Sequence, residues 1–288
     1  MNQGAAGATD PISGPISGPV SELRAFARTI RRHVLRMTHR KGGHVGSSFS
    51  TVEVLAALYG KVLRLDPAHP GDPDRDRFVL SKGHGCAALY AALAERGFFP
   101  KSWLDGFYQN GAKLASHATH WGVPGVEAST GSLGHGLALA CGMALVGKRD
   151  LRPYRVFTLL SDGECDEGST WEAALFAPFH RLDNLVAIVD YNKIQSLGRV
   201  KDVLDLEPFG AKWKAFGWAV REIDGHDLGE VLPALVSVPF EKARPSCIIA
   251  HTVKGKGVSF MEDKLLWHYR PPNDEEFEKA LAELEAAE

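Results

Sequence analysis

The chain has 288 residues, 44% of them hydrophobic and 24% charged, with a formal net charge of −2. That is the composition of a soluble enzyme with one large α/β domain or two small ones, and it argues against a general nucleic-acid binder. No apolar run reaches the roughly 18 residues of a membrane span. The scattered Cys86, Cys141, Cys165 and Cys247 form no C-x-x-C pair, so reduced thiols of a cytoplasmic protein are expected rather than a disulfide frame or a zinc site.

"MNQGAAGATDPISGPISGPVSE" lacks the basic start and apolar core of a signal peptide, and its Pro, Gly and Ser content predicts a disordered tail over residues 1–20. Ser21 is placed to cap a helix from Glu22 to Arg40, ended by "KGG" at 41–43. Phe26, Ile30, Val34 and Met37 give it an apolar face, so the basic residues of "RTIRRHVLRMTHRK" read as its solvated side. Thr51 heads a second helix over 51–63. A turn-rich connection at 66–76 leads to a short strand, "RFVLS", and helices follow at 86–97 and 133–149. The second helix of this pair is rich in small residues, which suits a crowded interface.

The second half alternates. Strands are expected at "RVFTLL" (155–160), "NLVAIVD" (184–190), "WAVREI" (218–223) and "SCIIAHTV" (246–253). Helices lie between them at 169–180, 211–217 and 228–238, the first with a kink or early stop at Pro178. Strand–helix alternation with β-branched strands predicts an α/β fold, a mostly parallel sheet with helices on both faces. No linker divides residues 21–288, so one domain is expected there.

"SDGECDEGS" (161–169) places four carboxylates at a strand end, where such sheets usually bind anionic phosphates. Asp162 follows one strand and Asp190-Tyr191-Asn192 closes the next. If those strands are neighbours, Asp162 and Asn192 offer oxygens to a hard divalent cation such as Mg2+, whose other ligands are commonly phosphates. The plainer reading of "SDGE" is an acidic surface turn capping the helix from Ser169. "DYN" at the next strand end favours the metal, with Gly163 allowing close backbone approach and Glu164 and Asp166 left as solvated bystanders.

"LLSDGECDEGSTWEAALFAPFHRLDNLVAIVDYNKIQSLG" resembles the thiamine-diphosphate motif of transketolases, G-D-G, about thirty residues, then N. "GGHVGSS" (42–48), "DRFVLSKGHG" (76–85), "PGVEASTGSLGHGLALACGMAL" (124–145), "HTVKGKGVSFMED" (251–263) and "WH" (267–268) follow the family's order. The resemblance spans roughly residues 21–270. It implies that Asp162, the Asn192 side chain and the Ile194 carbonyl hold Mg2+, with Ca2+ or Mn2+ as substitutes. It also implies that Gly163 approaches the diphosphate of thiamine diphosphate. Gly131 and Leu133 match the stretch along the aminopyrimidine, and Lys254 matches a lysine near the cofactor in some members. His44, His84, His117 and His268 align with histidines lining the thiazolium and the substrate channel. Imidazole suits the proton traffic of two-carbon ketol transfer near neutral pH, while the cofactor acts as electron sink. Glu167 matches a carboxylate at the interface between subunits. His33, His39, His69, His180 and His226 are expected to be surface or packing imidazoles, and His120 and His135 take no role.

Three stretches depart from the family pattern. Ser161 replaces the first glycine of G-D-G, which is harmless only if that position does not need φ > 0. "YRPP" follows His268 where many transketolases carry Gly-Lys, so Tyr269 and Arg270 are expected to narrow or recharge the channel mouth. "ASHATHWGV" around His117 lacks Gly-His-Pro. A full transketolase continues into a pyrimidine-binding domain and a third domain. The resemblance therefore implies the N-terminal subunit of a split enzyme that works with a C-terminal subunit, the two forming an α2β2 heterotetramer with a sugar substrate. The alternatives are another thiamine-diphosphate enzyme, such as a deoxyxylulose-phosphate synthase or a keto-acid dehydrogenase component, and a non-catalytic cofactor-binding subunit. A Rossmann dehydrogenase is set aside because no G-x-G-x-x-G turn follows a first strand.

Overall fold

The computed structural model describes residues 18–286. Of the expected tail, residues 1–17 lie outside the described residues. The remainder is helical, because α1 runs Gly18–Thr38 and Ser21 lies inside it rather than at its cap. After α1 come α2 (Val45–Phe49) and α3 (Val52–Ala57), which widens into a π turn over Leu58–Val62. The single helix expected from Thr51 thus changes its winding part-way. The Thr51 hydroxyl donates back to Ser48 O at 3.1 Å and caps no N–H.

Strand β1 (Arg77–Leu80) leads to α4 (Cys86–Glu95) and α5 (Gly136–Arg149), then β2 (Val156–Ser161), α6 (Gly168–Phe179) and β3 (Leu185–Tyr191). Pro178 sits one residue before the end of α6. A two-stranded antiparallel ribbon, β4 (Ile194–Gln195) and β5 (Gly198–Arg199), and the short α7 (Val200–Val203) add to the expected elements. Next come α8 (Phe209–Ala215), β6 (Ala219–Asp224), α9 (Leu228–Val236), β7 (Ser246–His251) and α10 (Asp274–Ala286).

The five longer strands form one sheet in the order β1-β2-β3-β7-β6, every pair parallel. β2 and β3 are buried along their whole length. The two-residue period of a strand sends Phe157, Leu159, Val186 and Ile188 into a core with α1, α3, α4 and α9. Val156, Leu160, Ala187 and Val189 pack on the other side with α5, α6 and α8. Helices therefore cover both faces, as the apolar strands imply. In a parallel sheet all strands finish at one edge, and β2 and β3 are neighbours, with Ser161 opposite Asp190.

Candidate active site

At that edge the loops leaving β1, β2, β3 and β7 surround a cavity of about 550 Å³. His44, His84, His117, Gly131, Leu133, Asp162, Gly163, Asn192, Ile194, Lys254 and His268 all line it. Residues far apart in the chain converge there because the sheet is parallel. Glu167 is exposed and does not line it. None of His33, His39, His69, His180 and His226 lines it either.

An ion pair forms the floor. Lys82 Nζ meets Asp190 Oδ2, both side chains fully buried, and also donates to Ser47 O at 2.9 Å. Asp190 accepts from the Ser50 hydroxyl at 2.7 Å, from Thr252 and from Asn192 Nδ2 at 2.9 Å. Burial alone would raise the Asp190 carboxyl, but Lys82 and these donors hold it below the usual range. Neither residue stands out in the sequence by itself.

Asp162 is buried in a different setting. Its oxygens accept from Gly163 N at 2.8 Å and from Lys193 N, which is aimed there by a left-handed backbone at Lys193 (φ 67°). Among the described residues it has no ion-pair partner. Burial, then the nearby Asp190 charge, push its carboxyl up to about 6. A buried carboxylate short of positive charge has the electrostatics of a cation site. Asn192 Oδ1 and Ile194 O supply further oxygens beside it, so the donor set is all-oxygen, as a hard divalent ion requires. Asn192 Oδ1 accepts from Ile194 N at 3.1 Å, and Ile194 O accepts from Lys254 Nζ at 2.9 Å. The set holds a single carboxylate, which agrees with the absence, among the described residues, of any group of three or more His, Cys, Asp or Glu that could hold a metal.

The imidazoles meet around His44. Its ring centroid is 5.1 Å from that of His84, 5.5 Å from His117, 5.3 Å from His268 and 5.4 Å from Tyr269. His44 stands at the start of α2 without a side-chain capping bond, and its Nδ1 is buried with no hydrogen-bond partner. Gly131 lets His117 close in, since a Cβ there would stand 2.9 Å from His117 Cδ2. Burial, then the charges of His117, Lys254 and Lys82, lower His44 to about 4. Burial and Lys254 lower His268 to about 3. His84 is lowered strongly and His117 also, both chiefly by burial. All four rings are neutral at pH 7, each with one N–H donor and one acceptor nitrogen. Lys254 Nζ reaches His268 Nδ1 at 2.7 Å, and burial, then Lys82, lower Lys254 to about 8.

Several readings from the sequence need correction. Glu164 is no solvated bystander: it is fully buried and accepts from the Ser81 hydroxyl, from Gly134 N at 2.9 Å and from Ser161 N at 3.3 Å. It ties the ends of β1 and β2 to the loop carrying Gly131 and Leu133. Asp166 is half-buried and accepts from Gln195 Nε2 at 2.9 Å. Gly163 makes room for Gln195, because a Cβ would lie 2.8 Å from Gln195 Cβ. Ser161 ends β2 without a positive φ, so no glycine is needed there. Tyr269 does line the cavity mouth, but Arg270 turns away to Glu276 at 2.5 Å and stacks on Trp267.

A family model described as the transketolase thiamine diphosphate binding domain matches residues 24–285. The chain is 47% identical over 265 residues to a 6-deoxy-6-sulfo-D-fructose transketolase subunit, SqwG, of Clostridium sp., covering 92% of this chain and 96% of that one. It is 43% identical to one of the subunits of an apulose-4-phosphate transketolase from Actinobacillus succinogenes, covering 91% and 96%. Among solved structures, the transketolase of Campylobacter jejuni superposes with a TM-score of 0.84 at 30% identity, covering 93% of this chain and 43% of that one. The chain thus spans about two fifths of that longer transketolase and almost the whole of the separate subunits. By sequence, fold and the residues gathered at the sheet edge, the chain belongs to the transketolase family, as its thiamine-diphosphate-binding N-terminal part.

Proposed function

We propose that this chain is the diphosphate-binding half of a two-component, Mg2+-dependent transketolase that moves a two-carbon ketol unit from a ketose, a sugar phosphate or similar anionic sugar, to an aldose. The carrying observation is the cavity itself, which a cation-seeking Asp162 and four neutral imidazoles line together. Asp162, Asn192 and the Ile194 carbonyl would hold Mg2+, or Ca2+ or Mn2+ in its place. Thiamine diphosphate supplies, when bound, the electron sink for carbon–carbon cleavage that side chains lack.

The chain's own residues hold and move protons. Neutral His44, His84, His117 and His268 can each donate to a substrate oxygen or accept from a hydroxyl without leaving the neutral pH range. With Lys254 donating to His268 Nδ1, the ring's hydrogen resides on Nε2, which makes that atom a donor. Lys82 is spent on Asp190 and so stays part of the framework. Tyr269, itself largely exposed, lines the cavity beside His268.

The partner in this reading is a C-terminal subunit carrying the pyrimidine-binding domain, assembled as α2β2, with exposed Glu167 near the contact. Relatives that the chain covers almost end to end are named as subunits, which supports a divided enzyme. Four buried free thiols suit a reducing cytoplasm. The test is co-expression with the C-terminal subunit, followed by measurement of ketose-to-aldose transfer. The assembled pair is expected to turn over while the chain alone shows negligible rate; robust turnover by the chain alone would refute the two-component reading.

A further inference from the structure

Outside the cavity lining, three titratable side chains that the mechanism does not use form a closed set of contacts. Arg31 on α1 pairs with Glu53 on α3, Nη1 to Oε1 at 2.6 Å and Nη2 to Oε2 at 2.8 Å. Glu53 Oε2 also meets His226 Nδ1, in the connection from β6 to α9, at 2.9 Å. His226 Nε2 accepts from Val253 N at 2.8 Å, so the ring hydrogen must be on Nδ1, donating to Glu53. Arg31 Nε donates to Lys256 O at 3.0 Å, and Nη2 reaches Phe49 O at 3.5 Å. The three side chains are only 8, 10 and 12% exposed. Burial would raise the Glu53 carboxyl, but Arg31 and His226 bring it down to about 2, so the set is charge-balanced.

We infer that Arg31, Glu53 and His226 are positioning residues that clamp the 253–256 segment and so set Lys254 against His268. The two grips, Val253 N and Lys256 O, bracket Lys254 and Gly255. On the cavity side Lys254 Nζ is held by Ile194 O and His268 Nδ1. Further ties of the segment are Gly255 N to Gly46 O at 3.0 Å and Asp263 N to Lys254 O at 2.9 Å. Phe49 ends α2, the helix that begins directly after His44, so one guanidinium references both the His44 helix and the Lys254 loop to α1. A buried network with every bond made holds its members to one geometry. The consequence for turnover rests on the ketol-transfer reading; the clamp does not.

The experiment compares His226→Phe, which removes both ring hydrogen bonds, with His226→Gln, which keeps one donor and one acceptor. In the chain alone, amide hydrogen exchange across 252–257 is expected to rise about tenfold in the Phe variant, near wild type in the Gln variant, with β2 and β3 unchanged. In the assembled enzyme the Phe variant is expected to lose about tenfold to a hundredfold in kcat at unchanged donor KM, with most of it restored by Gln. If the Phe variant does not fold, Arg31→Lys, which cannot span Glu53 and Lys256 O together, takes its place in both measurements. Unchanged exchange in the loop overturns the clamp, and a loosened loop with unchanged kcat overturns its link to Lys254. A wild-type pair that transfers no ketol unit refutes the functional reading instead, while the exchange result still decides the clamp.

Discussion

Lys254 Nζ lies 2.7 Å from His268 Nδ1, so a buried amine dictates which nitrogen of a cavity histidine is free to carry hydrogen. The two groups cannot comfortably be charged together at that distance. Burial compounds this by lowering Lys254 to about 8 and His268 to about 3.

The depressed imidazoles make stability depend on acid. An unfolded chain takes up protons on His44 and His268 below the ordinary value of 6.5, whereas the folded chain resists until about 4 and 3. Folding stability from these rings is therefore whole above pH 6.5 and lost as pH falls toward 4. Melting temperature is expected to drop between pH 7 and 4.5, and His44→Gln with His268→Gln to flatten that slope. Parallel slopes for wild type and variant would contradict the lowered values.

Lys82 and Asp190 are expected to behave as a buried pair. Lys82→Met leaves Asp190 charged without its ion-pair partner, costing about 3–5 kcal/mol in denaturant unfolding, and adding Asp190→Asn should recover most of that. Because Asp190 is held below its ordinary 3.8, the pair's contribution persists at neutral pH and fades only below pH 3.8. Simple additivity of the two substitutions would show that the pair is not coupled.

Glu164→Ala strands the Ser81 hydroxyl and two backbone N–H groups, with an expected loss of about 2–4 kcal/mol in thermal or denaturant unfolding. Burial raises the Glu164 carboxyl, so the neutral Glu164→Gln should be milder at pH 7. An equal loss in both variants would mean that the two acceptor oxygens of the carboxylate, not side-chain volume, matter there, and would contradict the milder loss expected for Gln.

Asp162→Ala removes the carboxylate of the all-oxygen set. Calorimetric titration of the assembled enzyme with thiamine diphosphate is expected to show affinity falling more than about a hundredfold in Mg2+, with the Mg2+ dependence gone. Unchanged affinity would refute Asp162 as a metal ligand.

Much of this molecule is legible from residue order. β-branched apolar runs mark β2, β3 and β7, and Asp162 and Asn192 stand out because each follows such a run. Glu164 does not, because an acidic turn looks the same in sequence whether water or Ser81 and Gly134 surround it. The pairing of Lys82 with Asp190 spans 108 positions, and only the parallel sheet brings the two together. Arg270 follows Tyr269 and so looks like a channel residue, yet Glu276 and Trp267 draw it aside. The β4–β5 ribbon escapes notice because two-residue strands carry no period. His226 has the look of a packing imidazole, and the pairing with Glu53 that gives it a task joins residues 173 positions apart.

The most direct measurement is a crystal of the assembled enzyme grown with Mn2+ and thiamine diphosphate, with anomalous scattering recorded for manganese. The expected result is one strong peak per copy of this chain within about 2.0–2.4 Å of Asp162, the Asn192 side-chain oxygen and the Ile194 carbonyl. A peak elsewhere in the cavity, or bound cofactor with no metal at Asp162, would contradict that assignment.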